Sequence, residues 1–154
     1  GGMADFKNDY KFIIKHLAEL RDTYGLKFKG IAIDPHNADG ILSDLEEFGC
    51  PVAPITQSCK NLNDATCDVQ LTVKSRKLRY DKRNSLLIWS FTNAITVANS
   101  FGEIKVDKEG NKKRIDPVDA CIDARHFVLS QKGKPEFDVN ASMEEYFKIM
   151  GIKG

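Results

Sequence analysis

The sequence has no CxxC pair, no apolar run near the roughly 20 residues that a membrane-spanning helix needs, and a single tryptophan in 154 residues. Its four cysteines, Cys50, Cys59, Cys67 and Cys121, are scattered. A disulfide framework is therefore not indicated, and a reduced, cytoplasmic compartment is the simpler inference. A zinc site built from Cys59, Cys67 and a histidine is the one metal use such spacing leaves open. No GxxxxGK[ST] string occurs, so the chain carries no P-loop ATPase. There is no internal repeat, low-complexity segment or signal peptide, and Gly1-Gly2-Met3 reads as a tag remnant before a chosen start. Neither sign of charge dominates, the formal net charge being +1. With 42% hydrophobic and 29% charged residues, the composition is that of one soluble globular domain, which buries about two-thirds of the surface its unfolded form exposes.

What the net charge hides, its distribution reveals. Residues 34–47 hold Asp34, Asp39, Asp44, Glu46 and Glu47 without a base, whereas residues 74–83 hold Lys74, Arg76, Lys77, Arg79, Lys82 and Arg83 against Asp81 alone. A second basic run, Lys105, Lys108, Lys112, Lys113 and Arg114, is diluted by Asp107 and Glu109. Solvated faces look like this, and so do basic segments that hold a polyanion over an acidic centre.

Periodicity predicts α/β layering. A helix over 8–24 shows Phe12, Ile13, Leu17 and Leu20 on one face and stops at Gly25. A strand over 26–33 ends in consecutive apolar residues, as in a sheet covered on both faces. A helix over 38–48, a strand over 52–55 and a helix from residue 63 or 64 to 75 follow, then a short strand over 78–80 and a helix over 85–94 with Trp89 as core. Residues 95–101 and 103–107 form a hairpin near Gly102, with a turn at 109–111. After a last long helix to about residue 129 come a loop and a short helix over 143–149.

That last helix carries the most informative stretch, KKRIDPVDACIDARHF at 112–127. Pro117 suits a first helical turn, which makes Asp116 the N-cap and places Asp119 at the third position, two carboxylates at one helix start. Such acids suit the helix dipole and can be caps alone. The second candidate, Asp34, closes the strand ending Ile-Ala-Ile and precedes Pro35, where ligands collect in open α/β sheets and where turns also begin. Aspartates from a strand end and a facing helix start suit a hard divalent cation such as Mg²⁺ or Mn²⁺.

Three separated strings, IAIDPHNADGILSDLEEFGCPVAPITQS, NSLLIWSFTNAITVANSFGEIKVDKE and KKRIDPVDACIDA, in this order and spacing, resemble the carboxyl-terminal nuclease domain of tailed-bacteriophage (prophage) terminase large subunits. The resemblance covers residues 10–128. It implies an α/β, RNase H-like three-layer fold with a central mixed, partly parallel sheet flanked by helices. It also implies a metal-dependent endonuclease that cuts concatemeric phage DNA during genome packaging in the bacterial host cytoplasm. Of three family acids around a two-metal Mg²⁺ or Mn²⁺ site, the second matches Asp34 and the third Asp116, both catalytic, with Asp119 assisting. The first acid lies on an opening strand with no counterpart here. The expectation is a partial domain over 4–130, weakened or inactive as cut, after a remnant at 1–3 and before a peripheral tail over 131–154. Lys113 and Arg114 would hold the scissile phosphates, and Arg76, Lys77 and Arg79 would track double-stranded DNA. The packaging ATPase domain, the terminase small subunit and the portal would be partners, with no membrane involved. Two alternatives remain, a non-catalytic α/β binding module of the packaging machinery and another RNase H-like nuclease such as a resolvase.

Overall fold

The computed structural model describes residues 3–108 and 115–132. Lys113, Arg114, the turn at 109–111 and the helix expected over 143–149 lie outside the described residues. The chain divides into two compact units.

In the first unit, which takes in residues 3–31 and 36–53, α1 (Met3–Asp22) is closed by Gly25. This glycine has a φ of +67°, and the Leu26 amide returns to the Leu20 carbonyl at 3.1 Å. That hydrogen bond turns the chain back on the helix end, a reversal that a glycine in the left-handed region permits. Leu26 is thereby committed to the helix end, and the expected strand over 26–33 shrinks to β1 (Ile31–Ile33). Phe12 and Ile13 are exposed rather than on the inward face, which Ile14, Leu17, Ala18 and Leu20 share. The helix expected over 38–48 is shortened to α2 (Leu42–Glu46), preceded by a 3₁₀ turn at Pro35–Asn37. Asp39 and Gly40, weak helix formers, interrupt it. Ala38, Ile41 and Leu45 are buried, and Phe28 meets Phe48 edge to face at 5.5 Å.

The second unit, which takes in residues 32–35 and 54–132, holds α3 (Cys59–Lys74), α4 (Ser85–Asn93), β3 (Thr96–Ala98), β4 (Ile104–Val106) and α5 (Asp116–Gln131). α3 begins earlier than expected because the Ser58 hydroxyl caps it, accepting from the Asn61 amide at 3.1 Å. Asn84 caps α4 in the same way through the Leu87 amide. β3 and β4 pair antiparallel with Val97 opposite Lys105. The turn at Gly102, φ +77°, is braced by Asn99, whose Oδ1 accepts from the amides of Phe101 and Glu103. α3 packs on α5 and β4, and α4 on α5, around Leu62, Ala65, Val69, Val106, Val118 and Ile122.

β2 (Val52–Pro54) pairs with β1. Ile31 donates to the Pro51 carbonyl and Ile55 to the Ile33 carbonyl, each at 2.8 Å. The bonds advance together along both strands, so the pair is parallel. In place of a central sheet, the described residues form two separate two-stranded sheets. Three further expectations are corrected. Residues 78–80 form no strand; Leu78 and Tyr80 instead line an apolar cleft of about 240 Å³ with Val73, Leu87, Ile88 and Phe91. Trp89 is 39% exposed, because α4 presents it outward while the other side of the helix faces α5. Asp116 is not a cap, since α5 begins at Asp116 itself and Ile115 holds the N-cap position without a side-chain hydrogen bond.

α3 ends on Arg76, a non-glycine residue at φ +58°, with the Lys77 amide bonded to the Thr72 carbonyl at 3.0 Å. A Cβ in the left-handed region costs about 1 kcal/mol, which glycine avoids at some unfolded-state entropy. Arg76→Gly should therefore raise stability by about 0.5–1 kcal/mol, measured by urea unfolding. A lower midpoint would mean that the Arg76 side chain contributes more than its backbone loses.

Candidate functional site

Four segments whose residues lie in the second unit bring polar side chains to one place. Asp34 follows the carboxyl end of β1, Gln57 follows β2, Lys108 follows β4, and Asp119 and Asp123 stand one turn apart on α5. The i, i+4 spacing puts both acids on one helix face, and that face points inward. Asp119 and Asp123 are buried beside Val118 and Ile122.

Lys108 joins the group. Its Nζ donates to Asp119 Oδ2 at 2.6 Å and to Asp34 Oδ2 at 3.3 Å. Burial pulls its pKa down, but the two carboxylates outweigh that and the net shift is upward, so the ammonium stays charged. Gln57 is the second bracket. Its Nε2 donates to the Ile55 carbonyl at 2.8 Å and to Asp123 Oδ1 at 3.0 Å, while Lys105 Nζ donates to the Gln57 carbonyl at 2.8 Å. Asp123 has no cation of its own among these contacts. Burial pushes its pKa up to about 6, opposed by the Gln57 hydrogen bond and the Lys108 charge and reinforced by the charges of Asp119 and Asp34.

Of the acids singled out by sequence, Asp34 and Asp119 are therefore brought together, on one ammonium. Asp116 is exposed at the start of α5, and among the described residues no ion pair reaches it. Arg76, Lys77 and Arg79 are exposed, on the segment that leaves α3. Asp123 and Lys108 were not singled out. The Asp-x-x-x-Asp spacing from Asp119 would have flagged Asp123, whereas Lys108 is indistinguishable in sequence from its basic neighbours.

The donor set is all hard oxygen, the chemistry Mg²⁺ or Mn²⁺ prefers. Asp34 and Asp119 already share one cation, so the residues present fit a cation seat. Among the described residues, however, no three acids, histidines or cysteines gather closely enough to hold a metal ion together. Cys59 and Cys67 accordingly form no zinc group there; Cys59 is half-buried and Cys67 exposed.

The family model for the terminase large subunit, endonuclease domain, matches residues 1–131. Among solved structures, the crystal structure of the HK97 bacteriophage large terminase is similar, with a TM-score of 0.66 and 22% sequence identity over 77% of this chain. The similarity spans 24% of that terminase's length. No curated protein matches.

Asp123 gives the site a pH signature. A carboxyl that keeps its proton up to about pH 6 when folded, but only to about pH 4 when unfolded, makes the folded chain bind more protons in that window. Its contribution to stability is therefore greatest below about pH 4 and declines as pH rises to about 6, by an amount on the order of 2–3 kcal/mol. Asp123→Asn, which keeps an acceptor for Gln57, should remove that decline. Urea unfolding at pH 4 and pH 7 should show the variant gaining on the parent as pH rises; parallel pH profiles would place Asp123 in a more polar setting.

Proposed function

This chain belongs to the family of terminase large subunit endonuclease domains, and from that premise we propose that the Asp34–Asp119 pair is the divalent-metal site of a nuclease that cuts concatemeric phage DNA during packaging. The observation that carries the proposal is the convergence of two acids, from a strand end and from the facing helix, on a single cationic group at 2.6 and 3.3 Å. A structural helix would gain more from apolar residues at those inward positions.

Asp34 and Asp119 would hold the ion, with Mg²⁺ or Mn²⁺ the suited class. Bound there, it would supply a Lewis acid on the phosphoryl oxygens and an activated water. Asp123 borders the pair, and Gln57 fixes its orientation. As a carboxylate at neutral pH it can accept a proton from a water, its pKa being nearer 7 than an ordinary aspartate's. Asp116, exposed at the helix start, is proposed as an outer acid of the two-metal arrangement. Arg76, Lys77 and Arg79 would meet backbone phosphates of double-stranded DNA without reading bases, and Lys113 and Arg114 those of the scissile strand. The RNase H-like layering, the host cytoplasm, and the packaging ATPase domain, terminase small subunit and portal as partners belong to the same proposal. A second reading, a non-catalytic module of the packaging machinery, is favoured by one observation, that a lysine already satisfies the two acids.

Melting curves and plasmid nicking separate the two readings. Mn²⁺ at a hundredfold excess over its Kd should stabilise the chain by roughly 2.7 kcal/mol, and the increment should vanish in Asp34→Asn and Asp119→Asn. Asp116→Asn should keep most of it. Any Mn²⁺-dependent nicking should follow the same order. Equal shifts in all four proteins, or none in any, would favour the binding module.

Electrostatic association with duplex DNA gives an independent test. Charge reversal at Arg76, Lys77 and Arg79 should weaken binding to any duplex sequence and flatten its salt dependence, since each phosphate contact adds about 0.9 to the logarithmic slope. An unchanged slope would remove this run from the DNA path.

A further inference from the structure

We propose that Lys108 is a tethered cation that occupies the seat of the divalent ion in the ion-free chain and must leave when the ion enters. The inference rests on reading Asp34 and Asp119 as ligands, and goes beyond it by assigning a role to a residue that is neither ligand nor DNA contact.

Three features support it. The lysine Nζ lies 2.6 Å from Asp119 Oδ2 and 3.3 Å from Asp34 Oδ2, so the same oxygens that would bind an ion are already engaged by one positive charge. The accessibilities are graded: the Asp34 and Asp119 side chains are 19% and 10% exposed, but that of Lys108 is 41% exposed. The acids are recessed and their counter-ion comes from the open side, on a flexible four-carbon stem that can withdraw into water. Finally, the two polar side chains Lys105 and Gln57 are committed elsewhere. Lys105 donates to the Gln57 carbonyl and Gln57 to Asp123, whereas Lys108 is directed at both acids of the pair.

Two carboxylates meeting without a cation repel each other and raise each other's proton affinity. Lys108 relieves that repulsion and holds the pair assembled before an ion arrives. The same contact opposes ion binding, because a ligand that needs the two acids binds only the fraction of molecules in which the lysine has withdrawn. Neutralising Lys108 should therefore move two observables in opposite directions, lowering stability without ion and raising affinity for it.

The test is a Mn²⁺ titration at low ionic strength, read by electron paramagnetic resonance of free Mn²⁺, with melting curves in chelator. Lys108→Met should bind Mn²⁺ about tenfold more tightly than the parent and melt at a lower temperature in chelator. Lys108→Arg, which keeps the charge, should stay near the parent in both. Lys60→Met, an exposed lysine on α3, should leave both unchanged and so control for net charge. Should Lys108→Met not fold, Lys108→Gln takes its place. Parent-like or weaker Mn²⁺ affinity in the neutralised variant, with parental binding still dependent on Asp34, would overturn the role of Lys108 and leave the ligand reading intact. Binding that survives Asp34→Asn and Asp119→Asn, or no uptake by parent and Lys108→Met alike, would overturn both.

Discussion

The ammonium of Lys108, bonded to Asp34 and Asp119, is the contact on which the rest of the site depends. It joins the residue after β1, the residue two past β4 and the first turns of α5, positions that are 74 and 11 residues apart along the chain. At an effective dielectric of about 20, unit charges 4 Å apart attract by roughly 4 kcal/mol, and desolvation takes much of that back. The pair is best understood as a specifier of geometry. Only with α5 packed on α3 and the two strand ends in place do three charges of alternating sign meet.

The surrounding fold positions these groups with few long elements. β1 and β2 are only three residues each, yet being parallel they deliver Asp34 and Gln57 at the same end, which an antiparallel pair could not do. The β3–β4 hairpin, braced by Asn99 and turned by Gly102, fixes the strand from which Lys105 and Lys108 extend. Thr66 and Leu62 of α3 sit buried beneath, and Arg125 of α5 bonds to Asp68 of α3. That bond lowers the pKa of Asp68 and ties together the two helices whose packing sets the depth of Asp119.

Much of this was legible in the sequence, to the extent that a local rule controlled it. The helices at 59–74, 85–93 and 116–131 and the hairpin at Gly102 follow from apolar spacing and turn chemistry, and Asp34 follows from the end of an apolar strand before a proline. Where tertiary contacts overruled local pattern, sequence misled. The alternation from Leu26 onward looks like strand, but Leu26 serves the end of α1. Leu78 and Tyr80 look like strand residues but line a cleft. Pro117 marks the helix start correctly, yet the acid beside it stays exposed while the acid two positions after it turns inward. A rule based on capping ranks Asp116 first; burial ranks Asp119 and Asp123 first. Nothing local distinguishes Lys108 from Lys105, since only the fold decides which lysine meets the acids.

The two kinds of aspartate around α5 differ in burial and in the group that meets their charge. Asp68, facing the same helix, is matched by a guanidinium and is only half-buried, an arrangement that a structural ion pair can sustain. Asp123 sits deeper, with an amide for its hydrogen-bond partner and its pKa pushed up to about 6 by burial. Asp119, beside it, draws its counter-charge from a lysine that is largely open to water. Leucine or alanine at positions 119 and 123 would continue the apolar stripe of Val118 and Ile122 and remove both desolvation costs. Retaining carboxylates there lowers the stability of the fold. The buried acids thus cost the fold more than the half-buried Asp68–Arg125 pair does, and at Asp119 the Lys108 ammonium offsets part of that cost.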